Sequence, residues 1–405
     1  MKRVMAVGLE STLDVIITFP DLKDFKKFSD TYDGELADKL KEGYKIVESG
    51  HGDEVPIDGA IEGGKVLLQK AGSFGATLSY LLGGNGAQQA AAMKCLGNDT
   101  IYVGGVSSSC FVNLQPGIRR LLGDIDMSFA KNLDDCHPRS YIMQAPDSNR
   151  YILCNGKGRR IDQIRDYLAE LPDTLEKVIG KYGRLDSLSL VGWHVLFANG
   201  VSDSDLNLVK RVTEEIREKT DVPIFTDTGG LSAFDDEQKK RLFKIYGMLD
   251  VLSVNEDEIL QLAKGIGCDS EDSIEVMSHI LDASDNLTTV WLHTPSFQAS
   301  LSTEFTSENL EKAQNTAALA GMFKVEKGSY PSEKDVNLTK VDRVLSDVGL
   351  KTVEDIKKKY DGKIGDAVLT ATPCYVGEYF TSTVGAGDTA AAAYAYSLVE
   401  SGRPK

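Results

Sequence analysis

The second half of the sequence alternates between short apolar runs and longer stretches with helical periodicity. The runs Ser187–Val191, Val222–Phe225, Val251–Val254 and Thr289–His293 have the length and composition of buried strands. Between them, apolar residues recur every three or four positions, as in an amphipathic helix. Strands separated by helices predict parallel crossovers, with helices on both faces of one sheet. The sequence therefore predicts an α/β fold whose ligands bind at the carboxyl ends of the strands.

The first 160 residues follow a different pattern. The runs Ser140–Gln144 and Arg150–Cys154 flank a five-residue turn sequence and predict a β-hairpin. Antiparallel pieces within an α/β chain indicate a small β-rich lid rather than a second domain. We therefore expect one large domain over 1–405, with lid elements inserted within about 15–75 and 105–160.

The composition excludes several classes of protein. Forty-five Lys and Arg against 61 Asp and Glu give a net charge of −16, which argues against binding of nucleic acid or anionic membranes. No apolar run reaches the roughly 18 residues of a membrane span, and the start has no signal-peptide core. The six cysteines and five histidines are dispersed without a Cys-x-x-Cys pair, so no His/Cys metal site is expected. We expect a cytoplasmic protein.

The most informative segment is a glycine-rich turn, Gly385-Ala386-Gly387-Asp388, that runs into an alanine-rich stretch. The first N–H groups of a helix are unpaired and lie at the positive end of its dipole, so such a turn can hold an anion. Glycines let the backbone come close to a phosphate. A carboxylate at this position suits the removal of a proton from an attacking hydroxyl. The segment therefore points to phosphoryl transfer to an alcohol.

Two other interpretations of this turn have to be considered. Gly385-x-Gly387-x-x-Ala390 also fits a dinucleotide-binding fingerprint, but only 15 residues follow Ala390, too few for the expected strand and acidic residue. An ordinary helix cap at Asp388 stays open from the segment alone. The sequence has no Gly-x-x-x-x-Gly-Lys-Ser/Thr loop, which excludes a P-loop kinase.

Four segments, in order along the chain, resemble the signatures of the ribokinase-like (PfkB) carbohydrate kinase superfamily. They are Leu13-Asp14-Val15, Gly83-Gly84-Asn85, Asn255-Glu256-Asp257-Glu258 and Thr383 to Thr389. Other segments are similar to the ADP-dependent glucokinase/phosphofructokinase branch: Asn149–Ile152, Leu249–Glu256, Leu292–Thr294 and Ser382–Gly385. One departure is Ile224–Gly230, which lacks the histidine of that branch's His-x-Glu pair and offers Asp227 as the acidic member.

The resemblance implies a three-layer α/β/α sandwich with a mainly parallel central sheet and a small β-rich lid. It also implies a role for each residue of the glycine turn. Asp388 would be the general base, and the N–H groups of Gly385, Ala386 and Gly387 would form an anion hole. Arg150 would place a cation on the phosphates, with a lid-surface arginine as the alternative.

The remaining matches imply substrate and metal contacts. Asp14, Gly83, Gly84 and Asn85 would contact the sugar, and Asn255 and Glu258 would hold Mg²⁺ through water. Asn255 with Glu258 three residues later also fits a capping box, and both roles are compatible. Arg139, Arg159 and Arg160 are available for an acceptor phosphate. His293 is assigned no role.

The resemblance thus implies a Mg²⁺-dependent kinase that phosphorylates a hydroxyl of a sugar or sugar phosphate, with ADP or ATP as donor. Two alternatives stay open: an ATP-dependent nucleoside or small-sugar kinase of the ordinary ribokinase type, and a non-catalytic descendant that binds a sugar or nucleotide. The expected partners are a sugar or sugar phosphate and a nucleotide, with no nucleic acid and no membrane. A homodimer is possible.

Overall fold

The computed structural model describes residues 2–50, 52–56, 67–106, 116–132, 139–146, 148–154, 161–197, 200–337, 343–379, 381 and 383–402. Its largest sheet has nine strands, in the order β15-β16-β14-β13-β12-β11-β10-β1-β5. Their bounds are β1 Val4–Leu9, β5 Asp99–Tyr102, β10 Ser187–Val191, β11 Ile224–Asp227, β12 Val251–Asn255, β13 Thr289–His293, β14 Phe297–Ser302, β15 Lys363–Ile364 and β16 Ala367–Pro373.

The nine-stranded sheet is mainly parallel. Strands β5, β1 and β10 to β13 pair in parallel, whereas β14 and β15 run antiparallel to their neighbours. The predicted strands at Ser187–Val191 and Thr289–His293 are confirmed, and β11 begins at Ile224, two residues later than expected. The parallel strands place the residues that follow Leu9, Val191, Asp227, Asn255 and His293 along one edge of the sheet.

Helices cover both faces of this sheet. On β1, Val4 and Ala6 face one apolar core, while Met5 and Val7 face a second core on the other side. The helices are α1 Leu22–Ser29, α2 Glu35–Glu48, α3 Asn85–Cys95, α4 Pro116–Gly123, α5 Ile161–Tyr182, α6 Trp193–Leu196, α7 Asp203–Lys219, α8 Asp236–Tyr246, α9 Glu256–Ile266, α10 Ser273–Asp282, α11 Ser307–Lys327, α12 Asp347–Tyr360 and α13 Ala386–Ser401, with a 3₁₀ turn at Leu231–Ala233. The α/β prediction is confirmed. None of the helices in the described ranges combines the length and the hydropathy of a membrane span.

A second sheet has five strands in the order β3-β9-β8-β2-β4. They are β2 Thr12–Thr18, β3 Asp53–Pro56, β4 Thr77–Gly83, β8 Arg139–Gln144 and β9 Arg150–Cys154, and a separate pair joins β6 Gly105–Val106 to β7 Lys131–Asn132. The predicted hairpin is confirmed, because β8 and β9 pair antiparallel. One face of this sheet carries α1 and α2. On its other face, Ile16 and Ile142 pack against Val384.

Helix α11 lies in the stretch 302–372, for which the sequence predicted no element. It packs against α13, β14 and β16. Its buried residues are two leucines, four alanines and four polar side chains, the last being Gln314, Thr316, Lys324 and Glu326. The small and polar side chains weaken the apolar stripe of the helix, which is why periodicity did not reveal it.

Candidate active site

Helix α13 begins in the glycine turn. Its N-cap, Gly385, has a φ of 71° and gives no side-chain cap. The Gly385 carbonyl accepts hydrogen bonds from the Thr389 amide at 2.9 Å and the Thr389 hydroxyl at 2.6 Å. The Ala386 amide donates to the Thr383 carbonyl at 3.0 Å. Of the N–H groups predicted to form an anion hole, that of Ala386 is therefore engaged in the turn.

Glycine is required at residue 385 for two reasons. A left-handed φ disfavours any residue with a Cβ. A Cβ at this position would also lie 2.5 Å from Oε1 of Gln88, which accepts a hydrogen bond from the Tyr330 hydroxyl. Gly387 is different, since the nearest atom to a Cβ there is Cε1 of His293 at 3.6 Å.

Asp388 lies in the first turn of α13, where its Oδ1 is buried without a hydrogen-bond partner among the described residues. The pKa of Asp388 is raised to about 7, chiefly by burial and to a smaller extent by the charges of Asp14 and Glu258. Hydrogen bonding from Asn85 and the charge of Arg150 act in the opposite direction. Asp388 in the turn thus interacts with four other predicted residues, each from a different segment of the chain: Asp14, Asn85, Arg150 and Glu258.

The predicted sugar contacts meet where β2, β4 and α3 come together. The Thr12 hydroxyl donates to Oδ1 of Asp14 at 2.9 Å, and a Cβ on Gly83 would lie 1.9 Å from the same oxygen. Gly84 is the N-cap of α3, and Asn85 is the first residue of that helix. Asp14 is buried. Close packing of Gly83 against its carboxylate fixes this group at the edge of the second sheet.

Arg150 joins the second sheet to the glycine turn. It is the first residue of β9, and its Nη1 donates to the Thr383 hydroxyl at 2.7 Å. Val384, the residue after Thr383, packs against Ile16 and Ile142 of the same sheet. The turn is therefore held to the second sheet by a polar and an apolar contact.

Asn255 and Glu258 form the capping box at the start of α9. Oδ1 of Asn255 accepts from the amides of Asp257 and Glu258 at 3.0 and 2.9 Å. In return, Oε2 of Glu258 accepts from the Asn255 amide at 3.1 Å and from the hydroxyl of Thr228. The capping box, which the sequence analysis gives as the structural role of these two residues, is therefore fully formed.

Asp227 lies at the carboxyl end of β11, in the segment that lacks the expected histidine. It is buried and accepts a 3.4 Å hydrogen bond from Nε2 of Gln89. The other end of that amide, Oε1 of Gln89, accepts a hydrogen bond from the Ser189 hydroxyl at 2.5 Å. Burial raises the pKa of Asp227 well above its ordinary value, and the charges of Asp388 and Glu258 add to this effect. Three carboxyl groups therefore repel one another at this edge of the sheet.

Sequence reasoning did not assign four other residues near these groups. A Cβ on Gly229 would lie 2.6 Å from Cε1 of His194, so the histidine of α6 packs against the segment that lacks the expected histidine. Burial lowers the pKa of His293 to about 4, and its Nε2 has no partner in the described part of the chain. Lys324 and Tyr330 lie in the stretch that gave no prediction. In the sequence, His194 follows a predicted strand, whereas His293 ends one and lies in the segment Leu292–Thr294 that resembles the ADP-dependent branch.

Some predicted features cannot be placed. The side chain of Arg139, and residues Arg159 and Arg160, lie outside the described part of the chain. Among the described residues, no group of three or more His, Cys, Asp or Glu side chains has an arrangement that could hold a metal ion.

Comparison with known proteins decides between the families that fit this site. Residues 131–396, more than half of the chain, match the model of the ADP-specific phosphofructokinase/glucokinase conserved region. The chain belongs to this family. It is thus a sugar kinase, a phosphotransferase with a nucleotide donor, and the ribokinase-like prediction is confirmed. A comparison with curated protein sequences found no match.

Solved structures show the same fold at low identity. A phosphofructokinase from Pyrococcus horikoshii OT3 with AMP is 16% identical, with a TM-score of 0.69 and 98% of both chains covered. An ADP-dependent kinase in complex with fructose-6-phosphate and ADPβS is 15% identical, with a TM-score of 0.73 and coverage of 98% of this chain and 94% of that one. The last common ancestor of ADP-dependent phosphofructokinases from Methanosarcinales is 16% identical, with a TM-score of 0.69 over 100% and 95% of the two chains. These likenesses extend over nearly the whole chain.

Proposed function

We propose that this chain transfers the β-phosphoryl group of ADP to a hydroxyl of a sugar phosphate, with Mg²⁺ and with Asp388 as the general base. One observation carries the proposal: Asp388 stands at a helix N-terminus without a side-chain cap, among Asn85, Arg150 and Asp14. The ADP-specific description of the family and the fructose-6-phosphate and ADPβS bound to a structure of the same fold support the choice of donor and acceptor.

The pKa of Asp388 suits its proposed role. A general base works best when its pKa lies close to the pH of the reaction, and that of Asp388 is about 7. Asp388 takes the proton of the acceptor hydroxyl as the oxygen attacks the β-phosphorus. The bond from this phosphorus to the bridging oxygen breaks, and AMP leaves with the bond's electron pair. Asp388 then releases the proton to solvent.

The backbone and Arg150 act on the migrating phosphoryl group. Phosphoryl transfer depends on positioning and on charge stabilisation more than on covalent chemistry. The amides of Gly385, Gly387 and Asp388 make no hydrogen bond among the described residues, whereas that of Ala386 does. We assign these three N–H groups and the guanidinium of Arg150 to the phosphoryl oxygens, with Ala386 holding the turn in shape.

The acidic residues at the sheet edge fit a hard divalent cation. Mg²⁺ prefers oxygen ligands and keeps several waters, so side chains already engaged in a capping box can hold it through water. Asn255, Glu258 and Asp227 would hold it, and the mutual repulsion that raises the pKa of Asp227 is what a cation relieves. When bound, Mg²⁺ neutralises the charge of the phosphate oxygens.

The second sheet would act as the lid over the acceptor. Asp14, at its edge, accepts hydrogen bonds from sugar hydroxyls, while Gly83, Gly84 and Asn85 let the sugar approach the start of α3. The contact between Val384 and the inner face of this sheet supports a position above the glycine turn. The free thiols of Cys95, Cys268 and Cys374 favour a reducing, cytoplasmic compartment.

An acceptor screen with both donors tests the proposal. Purified enzyme with Mg²⁺ is incubated with glucose, fructose-6-phosphate or nucleosides, and with either ADP or ATP, and AMP or ADP release is measured. We expect kcat/KM with ADP and fructose-6-phosphate to exceed that of every other pair by about 100-fold, because a missing hydrogen-bonding group leaves site residues unpaired. Preference for ATP, or for a nucleoside acceptor, would refute the proposal.

A further inference from the structure

The C-terminal end of α11 lies against the glycine turn. Gly321 packs on the first turn of α13, where its Cβ would lie 3.8 Å from the Ala386 carbonyl oxygen and 3.6 Å from Cβ of Ala390. Residues three positions apart share a helix face, so Lys324 lies on the face of α11 that packs against α13. The electrostatic interaction between Lys324 and Asp388 agrees with this placement.

Lys324 is a buried cation with few partners. Its residue is 6% exposed, its Nζ donates to the Gly328 carbonyl at 3.2 Å, and it stands 4.0 Å from the centre of the Tyr330 ring. The pKa of Lys324 is lowered to about 8, chiefly by burial, although the nearby carboxylate of Asp388 offsets part of this effect. A buried ammonium is costly unless nearby negative charge stabilises it, and the carboxylate of Asp388 supplies such charge.

The same residues support the turn mechanically. Tyr330, whose ring lies under the Lys324 ammonium, donates its hydroxyl to Gln88, and Gln88 packs against Gly385. Two residues after Lys324, the Glu326 carboxylate accepts from the Glu378 amide at 2.6 Å. The end of α11 therefore contacts the glycine turn and the loop that leads into it.

We propose that Lys324 is a positioning residue for phosphoryl transfer, whose ammonium keeps Asp388 ionised and, through Tyr330 and Gln88, keeps the turn in its reactive shape. The inference rests on the proposed role of Asp388 as base and adds a residue to it. Arg150 also opposes protonation of Asp388, but it belongs to the second sheet. Lys324 belongs to the three-layer body, so its charge stays beside Asp388 wherever the second sheet moves.

The charged and titratable groups that the described residues place around Asp388 determine the expected pH dependence. Asp14 on β2, Glu258 on α9 and Asp227 on β11 favour its protonated form, whereas Arg150 on β9 and Lys324 on α11 favour its ionised form. Tyr330 and Cys95 also face this region, and burial raises the pKa of both, so they stay neutral near pH 7. His293, whose Cε1 lies 3.6 Å from where a Cβ on Gly387 would be, has its pKa lowered to about 4 by burial and stays neutral near pH 7. Removal of Lys324 removes one of two opposing cations and therefore raises the pKa of Asp388.

The first test is the pH profile of kcat/KM for Lys324→Met, Lys324→Arg and the wild type. We expect Lys324→Met to move the acidic limb up by about one pH unit, with a tenfold loss below the limb and near-normal turnover above it. Lys324→Arg should keep the wild-type limb. Lys327→Met removes the same charge from the last residue of α11, whose side chain is exposed, and should leave the pH profile unchanged. A Lys324→Met limb identical to the wild type, or a loss equal at every pH, would overturn the proposal.

The second test does not depend on activity or on the folding of Lys324→Met. Lysines of the full-length wild type and of Asp388→Asn are ¹³C-dimethylated and titrated by NMR, with the Lys324 signal assigned by its absence in Lys324→Arg. Loss of the Asp388 charge should lower the titration midpoint of Lys324, and an unchanged midpoint would overturn the inference. Normal turnover by Asp388→Asn would instead refute the proposed base, so the two failures are distinguishable.

Discussion

Helices α9 and α13 both begin at the edge of the sheet, but their first turns are built in opposite ways. At α9, Asn255 and Glu258 satisfy each other's backbone amides, and Thr228 adds a further hydrogen bond. At α13, the N-cap is a glycine, which has no side chain to accept a hydrogen bond, and Asp388 in the first turn is half-buried beside other acids.

The difference shows how a helix start is prepared for structure or for an anion. A side-chain cap uses the donors of the first turn and stabilises the helix by about 1 kcal/mol. A helix whose N-cap is glycine lacks that stabilisation, and the N–H groups of its first turn can instead bind a ligand. We therefore expect substitutions at α9 to affect mainly stability and those at α13 to affect mainly turnover.

The largest expected effect is that of Asp388→Asn. Loss of the base should lower kcat by about 10³-fold, within the range of general base catalysis, while thermal stability should not fall, because a neutral amide replaces a carboxylate whose charge the site disfavours. The matched control is Asp257→Asn, the same change in the first turn of α9, where the side chain is exposed. Steady-state kinetics and thermal unfolding measure both. A loss of similar size in the control would remove the distinction between the two helix starts.

The second effect is a difference between alanine substitutions at the two glycines of the turn, Gly385 and Gly387. Gly385→Ala imposes a left-handed φ and a clash with Gln88, so it should lower both the free energy of unfolding and kcat. At residue 387 a methyl group has room and raises helix propensity by up to about 1 kcal/mol. Gly387→Ala should therefore unfold no more easily than the wild type and yet slow turnover by tenfold or more, because the methyl group keeps the phosphate off the backbone. Unchanged turnover would show that no phosphate approaches there.

The third effect concerns the cap of α9. Asn255→Ala should lower the free energy of unfolding by about 1 kcal/mol in urea denaturation and raise the Mg²⁺ concentration needed for half-maximal rate. Thr306→Ala removes a cap at the start of α11, where Thr306 accepts from the Asn309 amide, and is the matched control. It should lower stability without a change in Mg²⁺ dependence. Equal Mg²⁺ dependence in both variants would leave Asn255 a purely structural residue.

The fourth effect is a pH dependence of stability. The pKa of Asp388 is raised from 3.8 to about 7 by folding, so the folded protein holds the proton more tightly than the unfolded chain. The contribution of Asp388 to the free energy of unfolding is therefore greatest below pH 4, decreases between pH 4 and 7, and is constant above pH 7. Asp388→Asn should lack this fall, so its advantage over the wild type in urea denaturation should grow up to about pH 7 and then level off. A difference that is flat from pH 4 to 8 would contradict the pKa.

Sequence reasoning succeeded where residue type and spacing carry the physics. Parallel strands are buried on both faces, so β10, β12 and β13 stand out as apolar runs, and the glycine turn stands out because few other residues fit it. Helix α11 was not predicted, since its buried face is made mostly of alanine and polar side chains. The proximity of Lys324 to Asp388, or of His194 to Gly229, depends on helix packing and leaves no local pattern in the sequence.

The contacts of Thr383 and Val384 with the second sheet have a consequence for the catalytic cycle. The sheet cannot swing away without breaking the Arg150–Thr383 hydrogen bond and exposing Ile16 and Ile142 to water. A movement of the sheet that admits substrate or releases product would therefore disturb the segment that carries Asp388. If product release depends on such a movement, a substitution that weakens these contacts should slow the chemical step and speed product release.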